Sequence, residues 1–141
     1  MNQLFCYGTL QVPQVIHAVT GRTYPGKPAT LLGYAIYRVK NAEYPGIIQA
    51  ADRETKGIIY ENVSEKDLRV LDLFEGDFYR RQLLDVFLAD GDTTSAWVYG
   101  IKDHHLDILT DECWKLEDFL DHGLESFMQG YVHGRRNVYS S

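Results

Sequence analysis

Cysteine is scarce in this chain, and long apolar runs are missing. The two cysteines, Cys6 and Cys113, stand far apart without the paired spacing of a zinc or redox motif. We therefore expect reduced thiols, which are typical of a cytoplasmic protein. No apolar stretch reaches the roughly 18 residues of a membrane span, and the N-terminus lacks a basic region followed by an apolar run. The sequence thus predicts a cytoplasmic protein with no membrane association.

Positive charge is also in short supply. The chain has 14 Lys and Arg residues against 20 Asp and Glu residues, so its formal net charge is −6 at pH 7. Most of such a surface repels a phosphate backbone, and the one basic cluster, Arg135-Arg136, is short. We therefore expect no nucleic-acid partner.

What is present is a composition that suits one folded unit. Hydrophobic residues make up 45% of the 141 residues, and the 24% of charged residues are spread along the chain. This length closes one sizeable core but is too short for two ordinary domains. We expect a single domain over residues 1–141.

Strand patterns outnumber helical patterns. Helices are expected at 13–19, from the N-cap Ser64 to Gly76, and from near Thr110 onward, where Gly123 interrupts the apolar stripe. Strands are expected at 3–7, 29–39 with a break or bulge at Gly33, 47–50, 56–61, 79–88 and 93–101, the last two joined by the hairpin signal Asp90-Gly91. Residues 29–61 contain no helix, which disfavours a parallel doubly wound sheet. These patterns predict an α+β fold: a mixed, largely antiparallel, barrel-like sheet with a few flanking helices.

The first candidate site is the turn Tyr7-Gly8-Thr9-Leu10. A glycine after a buried strand lets the backbone approach a ligand and expose its N–H groups. Thr9 adds a hydroxyl, and the helix opened by Pro13 adds unpaired N–H groups and the positive end of a dipole. The segment suits a carboxylate ligand, although four residues alone also describe an ordinary tight turn.

The second candidate is Glu75, at the C-terminal end of the helix that ends at Gly76. This glutamate continues the apolar stripe of the helix, and Phe74 and Phe78 flank it. Burial and the negative end of the helix dipole both disfavour the charged form, so we expect a raised pKa that suits proton transfer near neutrality. The alternative is a helix-end glutamate paired with Arg80 or Arg81.

Other constellations carry less weight. Residues 103–107 include His104 and His105, but adjacent side chains of an extended segment point to opposite sides, which disfavours a metal site. No serine or cysteine stands in a nucleophile signature. Tyr99 is expected to join the site, because its strand should lie near the helix that carries Glu75.

Three motifs occur in a fixed order. They are Leu4-Phe5-Cys6-Tyr7-Gly8-Thr9-Leu10, then Tyr44-Pro45-Gly46, then Leu71-Asp72-Leu73-Phe74-Glu75-Gly76 followed by Tyr79-Arg80-Arg81. Together they resemble the γ-glutamyl cyclotransferase-like family, and within it the small branch of γ-glutamylamine cyclotransferase and the plant AIG2-like proteins. The resemblance spans nearly the whole chain.

The resemblance implies a function and a set of site residues. It implies a mixed barrel in which the turn from Tyr7 to Leu10 lines a cavity and Glu75 is the catalytic acid and base. The family reaction releases 5-oxoproline from a γ-glutamyl amide when the substrate's own α-amine attacks its γ-carbonyl. No cofactor or metal is expected, and the partner is a small γ-glutamyl substrate. Tyr44, Pro45, Gly46 and Tyr99 complete the expected binding residues.

Two questions stay open at this point. The leaving amine of the substrate is undecided, and its preference would depend on a far wall that Tyr44 and the loop 102–109 could shape. The alternative to an enzyme is a non-catalytic small-molecule binder of the same fold, which uses the turn as a carboxylate receptor.

Overall fold

The computed structural model describes the backbone of residues 2–134 and the side chains of residues 2–130, so the basic cluster Arg135-Arg136 lies outside the described part of the chain. The strands are β1 (Asn2–Cys6), β2 (Gly26–Val39), β3 (Pro45–Val63), β4 (Tyr79–Leu88), β5 (Thr93–Ile101) and β6 (Leu109–Cys113). The α-helices are α1 (Pro13–Thr20), α2 (Glu65–Glu75), the single turn α3 (Leu116–Asp118) and α4 (Leu124–Gly134). Two 3₁₀ segments, Thr9–Gln11 and Asp103–Ile108, and a π-helical turn, Phe119–Gly123, complete the elements.

The sheet closes on itself. Its strand order is β3-β1-β5-β4-β2-β6, and β3 also pairs with β2, so five strands form a barrel with β6 added at its side. The β1–β5 pair is parallel, whereas the other pairs are antiparallel. The predicted class, an α+β fold with a largely antiparallel barrel-like sheet, is confirmed.

Two expected strands are in fact one. Instead of separate strands at 47–50 and 56–61, β3 is one element from Pro45 to Val63. Its pairing with β2 runs from Arg38↔Pro45 to Tyr34↔Gln49 and resumes from Leu32↔Glu54 to Gly26↔Tyr60, so residues 50–53 have no partner on β2. Residues 51–54 are exposed, and this unpaired stretch is the break that the sequence pattern showed between the two expected strands. The irregularity expected at Gly33 is a bulge, since the register shifts between Leu32 and Tyr34 and Gly33 has a φ of 84°.

The expectation of a helix beginning near Thr110 is wrong. Residues from Leu109 to Cys113 form β6, which pairs with β2 at Val39↔Leu109 and Tyr37↔Cys113. The free edge of the long strand β2 offers hydrogen bonds that outweigh a weak local preference for helix. The helical region begins at Leu116, and Gly123 ends a π-helical turn without breaking the chain of helices.

Alternation along the strands divides the core into two layers. From β1, Leu4 and Cys6 face the helices, whereas Phe5 and the following Tyr7 face the barrel interior. The interior cluster draws residues from all five barrel strands: Phe5, Tyr7, Ala29, Leu31, Ile47, Ile59, Val86, Ala96 and Val98. The larger cluster, between the sheet and the helices, therefore places α2 and α4 against the end of β1.

Local signals account for the position of α2. The Ser64 hydroxyl accepts a hydrogen bond from the Asp67 backbone N–H at 3.0 Å, as expected of an N-cap, and the Gly76 N–H binds the Asp72 carbonyl at the other end. Leu68, Leu71 and Phe74 are buried against the sheet. Glu75 is thus the last residue of a well-anchored helix. Among the described residues, no helix is both long and apolar enough to cross a membrane.

Gly57 provides a test of how closely the paired strands β1 and β3 approach each other. A Cβ atom at this position would lie 2.3 Å from the Cys6 carbonyl oxygen, which is backbone and cannot move aside cheaply. We expect Gly57→Ala to lower the free energy of unfolding by about 1–3 kcal/mol, measured by urea denaturation. Asp52→Ala, an exposed change on the same strand, is the control. Equal stability of the two variants would contradict this close approach of the two strands.

Candidate active site

A cavity opens where the end of β1, the start of β3 and the end of α2 meet. It encloses about 450 Å³ of empty space, its open mouth included. Its lining combines one carboxylate with tyrosines, other apolar side chains and the first turn of the chain: Phe5, Cys6, Tyr7, Gly8, Thr9, Leu10, Tyr44, Pro45, Phe74, Glu75, Tyr79, Tyr99 and Phe127.

The turn Tyr7-Gly8-Thr9-Leu10 lines this cavity along its full length. It leads into a 3₁₀ segment, in which the Gln11 and Val12 N–H groups bind the Gly8 and Thr9 carbonyls. The preceding N–H groups have no partner within such a segment. Within the described residues, no protein acceptor binds the N–H groups of Thr9 and Leu10.

Gly8 and Thr9 have distinct roles in the shape of the turn. A Cβ atom on Gly8 would lie 2.8 Å from the Pro45 ring, so glycine lets the turn pack directly on Pro45. Thr9 is 5% exposed, and among residues 2–130 its hydroxyl has no hydrogen-bond partner. A buried hydroxyl without a partner costs free energy unless something else binds it. The turn therefore presents unsatisfied polar groups to the cavity.

Glu75 lies in the same cavity, some sixty-five residues away along the chain. The residue is half-buried, and in the described part of the chain its carboxyl group makes no ion pair or hydrogen bond. Burial raises the pKa of Glu75 to about 8, and the negative charge of Asp72 adds to the increase. The expected rise of the Glu75 pKa through burial is confirmed. The contribution of Asp72 was not predicted.

The arginines that follow α2 do not pair with Glu75. Arg81 donates two hydrogen bonds to the Asp72 carboxylate, from Nε to Oδ1 at 2.8 Å and from Nη2 to Oδ2 at 3.1 Å. Arg80 is exposed and lines a separate cavity with Asp103 and others. The alternative of a helix-end ion pair therefore applies to Asp72 and leaves Glu75 unpaired within the described residues.

Hydroxyl groups of three tyrosines hold the cavity walls together. Tyr7 donates to the Tyr99 carbonyl at 2.5 Å, Tyr79 donates to the Pro45 carbonyl at 2.6 Å, and Tyr99 donates to Asp72 at 2.6 Å. Burial raises the pKa of each of these phenols, and the Glu75 charge raises it further. All three tyrosines therefore stay neutral donors at physiological pH.

One residue of the predicted set does not reach the cavity. Tyr44 and Pro45 line it, but Gly46 packs under Ile101, whose Cγ1 atom would lie 2.5 Å from a Cβ at position 46. The loop 102–109 does not line it either, because its Asp103 and Leu106 face the separate cavity beside Arg80. Glycine at position 46 serves packing in the described structure.

The structure adds five cavity residues that the sequence did not indicate. Tyr79, Phe5 and Cys6 come from strands, and Phe74 comes from α2. Phe127 comes from α4, where it contacts Phe74 edge to face with ring centroids 6.1 Å apart. The sequence predicted an apolar stripe in this helical region, but no local signal shows that this stripe closes a cavity.

The two adjacent histidines lie side by side. His104 and His105 fall in a 3₁₀ segment, and their ring centroids are 4.1 Å apart. The expectation that they point to opposite sides of an extended segment is wrong, because the segment is not extended. Among the side chains of residues 2–130, no group of three or more His, Cys, Asp or Glu is arranged to hold a metal ion.

Sequence comparison connects this arrangement to known proteins. The family described as "Gamma-glutamyl cyclotransferase, AIG2-like" matches residues 4–116, a range that includes the turn, Tyr44-Pro45-Gly46 and Glu75. The AIG2-like protein C of Arabidopsis thaliana is 29% identical over 126 residues, which are 89% of this chain and 73% of that protein.

Structural comparison agrees. The solution structure of an Arabidopsis thaliana protein superposes with a TM-score of 0.71 at 25% identity, covering 94% of this chain and 81% of that one. A structure of a gamma-glutamyl cyclotransferase shares the fold, with a TM-score of 0.63 at 18% identity over 72% of this chain and 66% of that one. The chain belongs to the gamma-glutamyl cyclotransferase, AIG2-like family.

Proposed function

We propose that this protein is a cofactor-free cyclotransferase that releases 5-oxoproline from a γ-glutamyl amide, with Glu75 as the general acid and base. The observation that carries the proposal is the position of Glu75: an unpaired carboxyl group with a pKa of about 8 shares one small cavity with the turn from Tyr7 to Leu10. The family membership supports it. We also infer a cytoplasmic location from the scarcity of cysteine.

The turn is the receptor for the negative end of the substrate in this proposal. The N–H groups of Thr9 and Leu10 and the Thr9 hydroxyl are donors without a protein acceptor in the described chain. They suit the α-carboxylate of the γ-glutamyl group or the oxyanion that develops on its γ-carbonyl. Tyr44 and Pro45 line the same cavity, and Tyr99 holds the start of the turn by accepting a hydrogen bond from the Tyr7 hydroxyl.

Ring closure needs no nucleophile from the protein. The substrate's α-nitrogen forms a bond to its own γ-carbonyl carbon, and the bond from that carbon to the leaving nitrogen then breaks. The two products are 5-oxoproline and a free amine. Because both reacting groups belong to one molecule, holding the substrate in a bent conformation supplies part of the rate enhancement.

Glu75 handles the protons of both steps. The α-nitrogen starts as an ammonium and ends as a lactam N–H, so it loses two protons, while the departing nitrogen gains two and leaves as an ammonium. A carboxyl group that accepts and donates one proton at a time can pass both protons and return to its starting state. A pKa near the working pH suits such a group, because both protonation states are then accessible. A substrate ammonium beside Glu75 favours the carboxylate form, which makes the first transfer nearly balanced in energy.

The test is product analysis with a panel of γ-glutamyl compounds. A γ-glutamyl amino acid, glutathione and ε-(γ-glutamyl)-lysine are incubated with the protein, and 5-oxoproline and the released amine are measured by mass spectrometry. We expect equimolar 5-oxoproline and amine from at least one compound, with or without EDTA. The matched α-glutamyl isomers are the control, because their amide is not on the γ-carbonyl and should yield no 5-oxoproline with release of the amine.

Two other outcomes point elsewhere. A thermal shift without turnover for every compound would support a non-catalytic carboxylate binder that uses the same turn. Release of glutamate that EDTA abolishes would instead support a metal-dependent hydrolase, for which His104 and His105 are the candidates. Either outcome contradicts the cyclotransferase proposal.

A further inference from the structure

Asp72 is held by a clamp that the cyclisation chemistry does not use. Arg81 from β4 grips its carboxylate with two hydrogen bonds, at 2.8 and 3.1 Å, and Tyr99 from β5 adds a third at 2.6 Å. The Arg81 guanidinium also lies 4.5 Å from the centre of the Trp97 ring, which limits its freedom. The Asp72 carboxylate is therefore fixed in position by two neighbouring strands.

The clamp holds a side chain near the C-terminal end of α2, where Glu75 also lies. Asp72 and Glu75 are three residues apart on this helix, so their side chains are neighbours on one face. Tyr99 connects the clamp to the turn as well, because its backbone carbonyl accepts the hydrogen bond from Tyr7. Through these two hydrogen bonds, Tyr99 connects α2, which carries Glu75, to Tyr7 at the start of the turn.

Among residues 2–130, the other titratable groups that line the cavity with Glu75 are uncharged near neutrality. They are Cys6 at the end of β1 and Tyr7 after it, Tyr44 before β3, Tyr79 in β4 and Tyr99 in β5, while the α4 residue in the lining, Phe127, does not titrate. Burial raises the pKa of each of these thiol and phenol groups above its ordinary value. Within the described residues, Asp72 is the charged group that acts on Glu75.

We propose that Asp72 is a positioning residue for the reaction: clamped by Arg81 and Tyr99, it presents a fixed negative charge to Glu75. A like charge one helical turn away disfavours the carboxylate form of Glu75 and keeps its proton available for the leaving amine. Arg81 moderates this effect, since its positive charge partly neutralises Asp72. The inference rests on the proposed role of Glu75, but its electrostatic part is measurable without turnover.

The test is a ¹³C NMR titration of the Glu75 carboxyl group, with the resonance assigned by its loss in Glu75→Gln. The wild-type protein is compared with Asp72→Asn and Arg81→Gln. We expect Asp72→Asn to lower the titration midpoint of Glu75 by about one pH unit. Arg81→Gln should raise the midpoint, because the Asp72 charge loses its partner. Opposite shifts are the sign of a charge effect, which a merely structural clamp would not produce.

Asp77→Asn is the matched control. Asp77 is closer to Glu75 in sequence but is exposed and outside the clamp, so its loss should leave the midpoint unchanged. An unchanged midpoint in Asp72→Asn, an equal shift in Asp77→Asn, or a lowered midpoint in Arg81→Gln would each overturn the proposal. Should Asp72→Asn not fold, the direction of the shift in Arg81→Gln decides.

Kinetics separates this proposal from the proposed function. If the wild type releases 5-oxoproline, the acid limb of the pH profile of kcat/KM should move with the NMR midpoint in both variants. A profile that stays in place while the midpoint moves would overturn the role of Asp72 in the reaction. If no substrate is turned over, the cyclotransferase function fails, while the NMR titration still decides whether Asp72 acts on Glu75.

Discussion

Glu75→Gln is expected to lower the rate of 5-oxoproline release by about 10²–10⁴-fold, the usual contribution of a general acid and base. Glutamine has nearly the same shape as glutamate but cannot accept and return the proton. Since the Glu75 carboxyl group makes no ion pair or hydrogen bond within residues 2–130, its replacement breaks no such contact there. The measurement is kcat and KM for the best γ-glutamyl amide of the panel.

Two comparisons make this result specific. Asp77→Asn, an exposed carboxylate just beyond the same helix, should keep wild-type turnover. Substrate affinity of Glu75→Gln, measured by calorimetry, should fall far less than its rate, because the turn remains intact. Full 5-oxoproline release by Glu75→Gln from every substrate that the wild type accepts would show that Glu75 is not the general acid and base.

The second large effect concerns the pH dependence of stability. The pKa of Glu75 rises from an ordinary 4.5 to about 8 in the folded protein. Between these values the unfolded chain releases the proton while the folded chain keeps it, so the wild type loses stability as the pH rises from about 5 to 8. Glutamine does not titrate. We expect the stability of Glu75→Gln relative to the wild type to increase by roughly 4 kcal/mol between pH 5 and pH 9.

Urea denaturation of both proteins at pH 5, 7 and 9 measures this difference. Taking the change with pH removes any fixed effect of the substitution itself. Asp77→Asn should show no comparable trend, because its carboxylate is exposed. A difference between Glu75→Gln and the wild type that stays constant over this range would show that Glu75 has an ordinary pKa in the folded state.

The elements that the sequence predicted well are those with local causes. The helix α2 begins at its Ser64 cap and ends at Gly76, as the capping pattern indicated. The β4–β5 hairpin turns at Asp90-Gly91, where Gly91 has a φ of 93°. In each case the deciding interaction lies within a few residues along the chain, so the pattern carries the information.

The elements that were predicted wrongly depend on distant partners. The two halves of β3 form one strand because both pair with β2, on either side of the unpaired residues 50–53, and β6 forms because β2 has an open edge. Backbone pairing of this kind has no signature in the side chains of the strand concerned. A reading of one segment at a time therefore splits β3 and mistakes β6 for the start of a helix.

The sequence by itself determined the chemistry of the candidate site. It contains a glycine turn able to expose N–H donors, and a glutamate on the apolar stripe of a helix, just before the Gly76 that ends it. Only the tertiary structure decided that the two segments share a cavity, that Gly46 stays outside it, that Phe127 closes it and that Asp72 acts on Glu75. The physical reason is range. Backbone conformation and side-chain polarity are local properties, whereas burial and the electrostatic field at a carboxyl group are sums over everything that the fold brings near it.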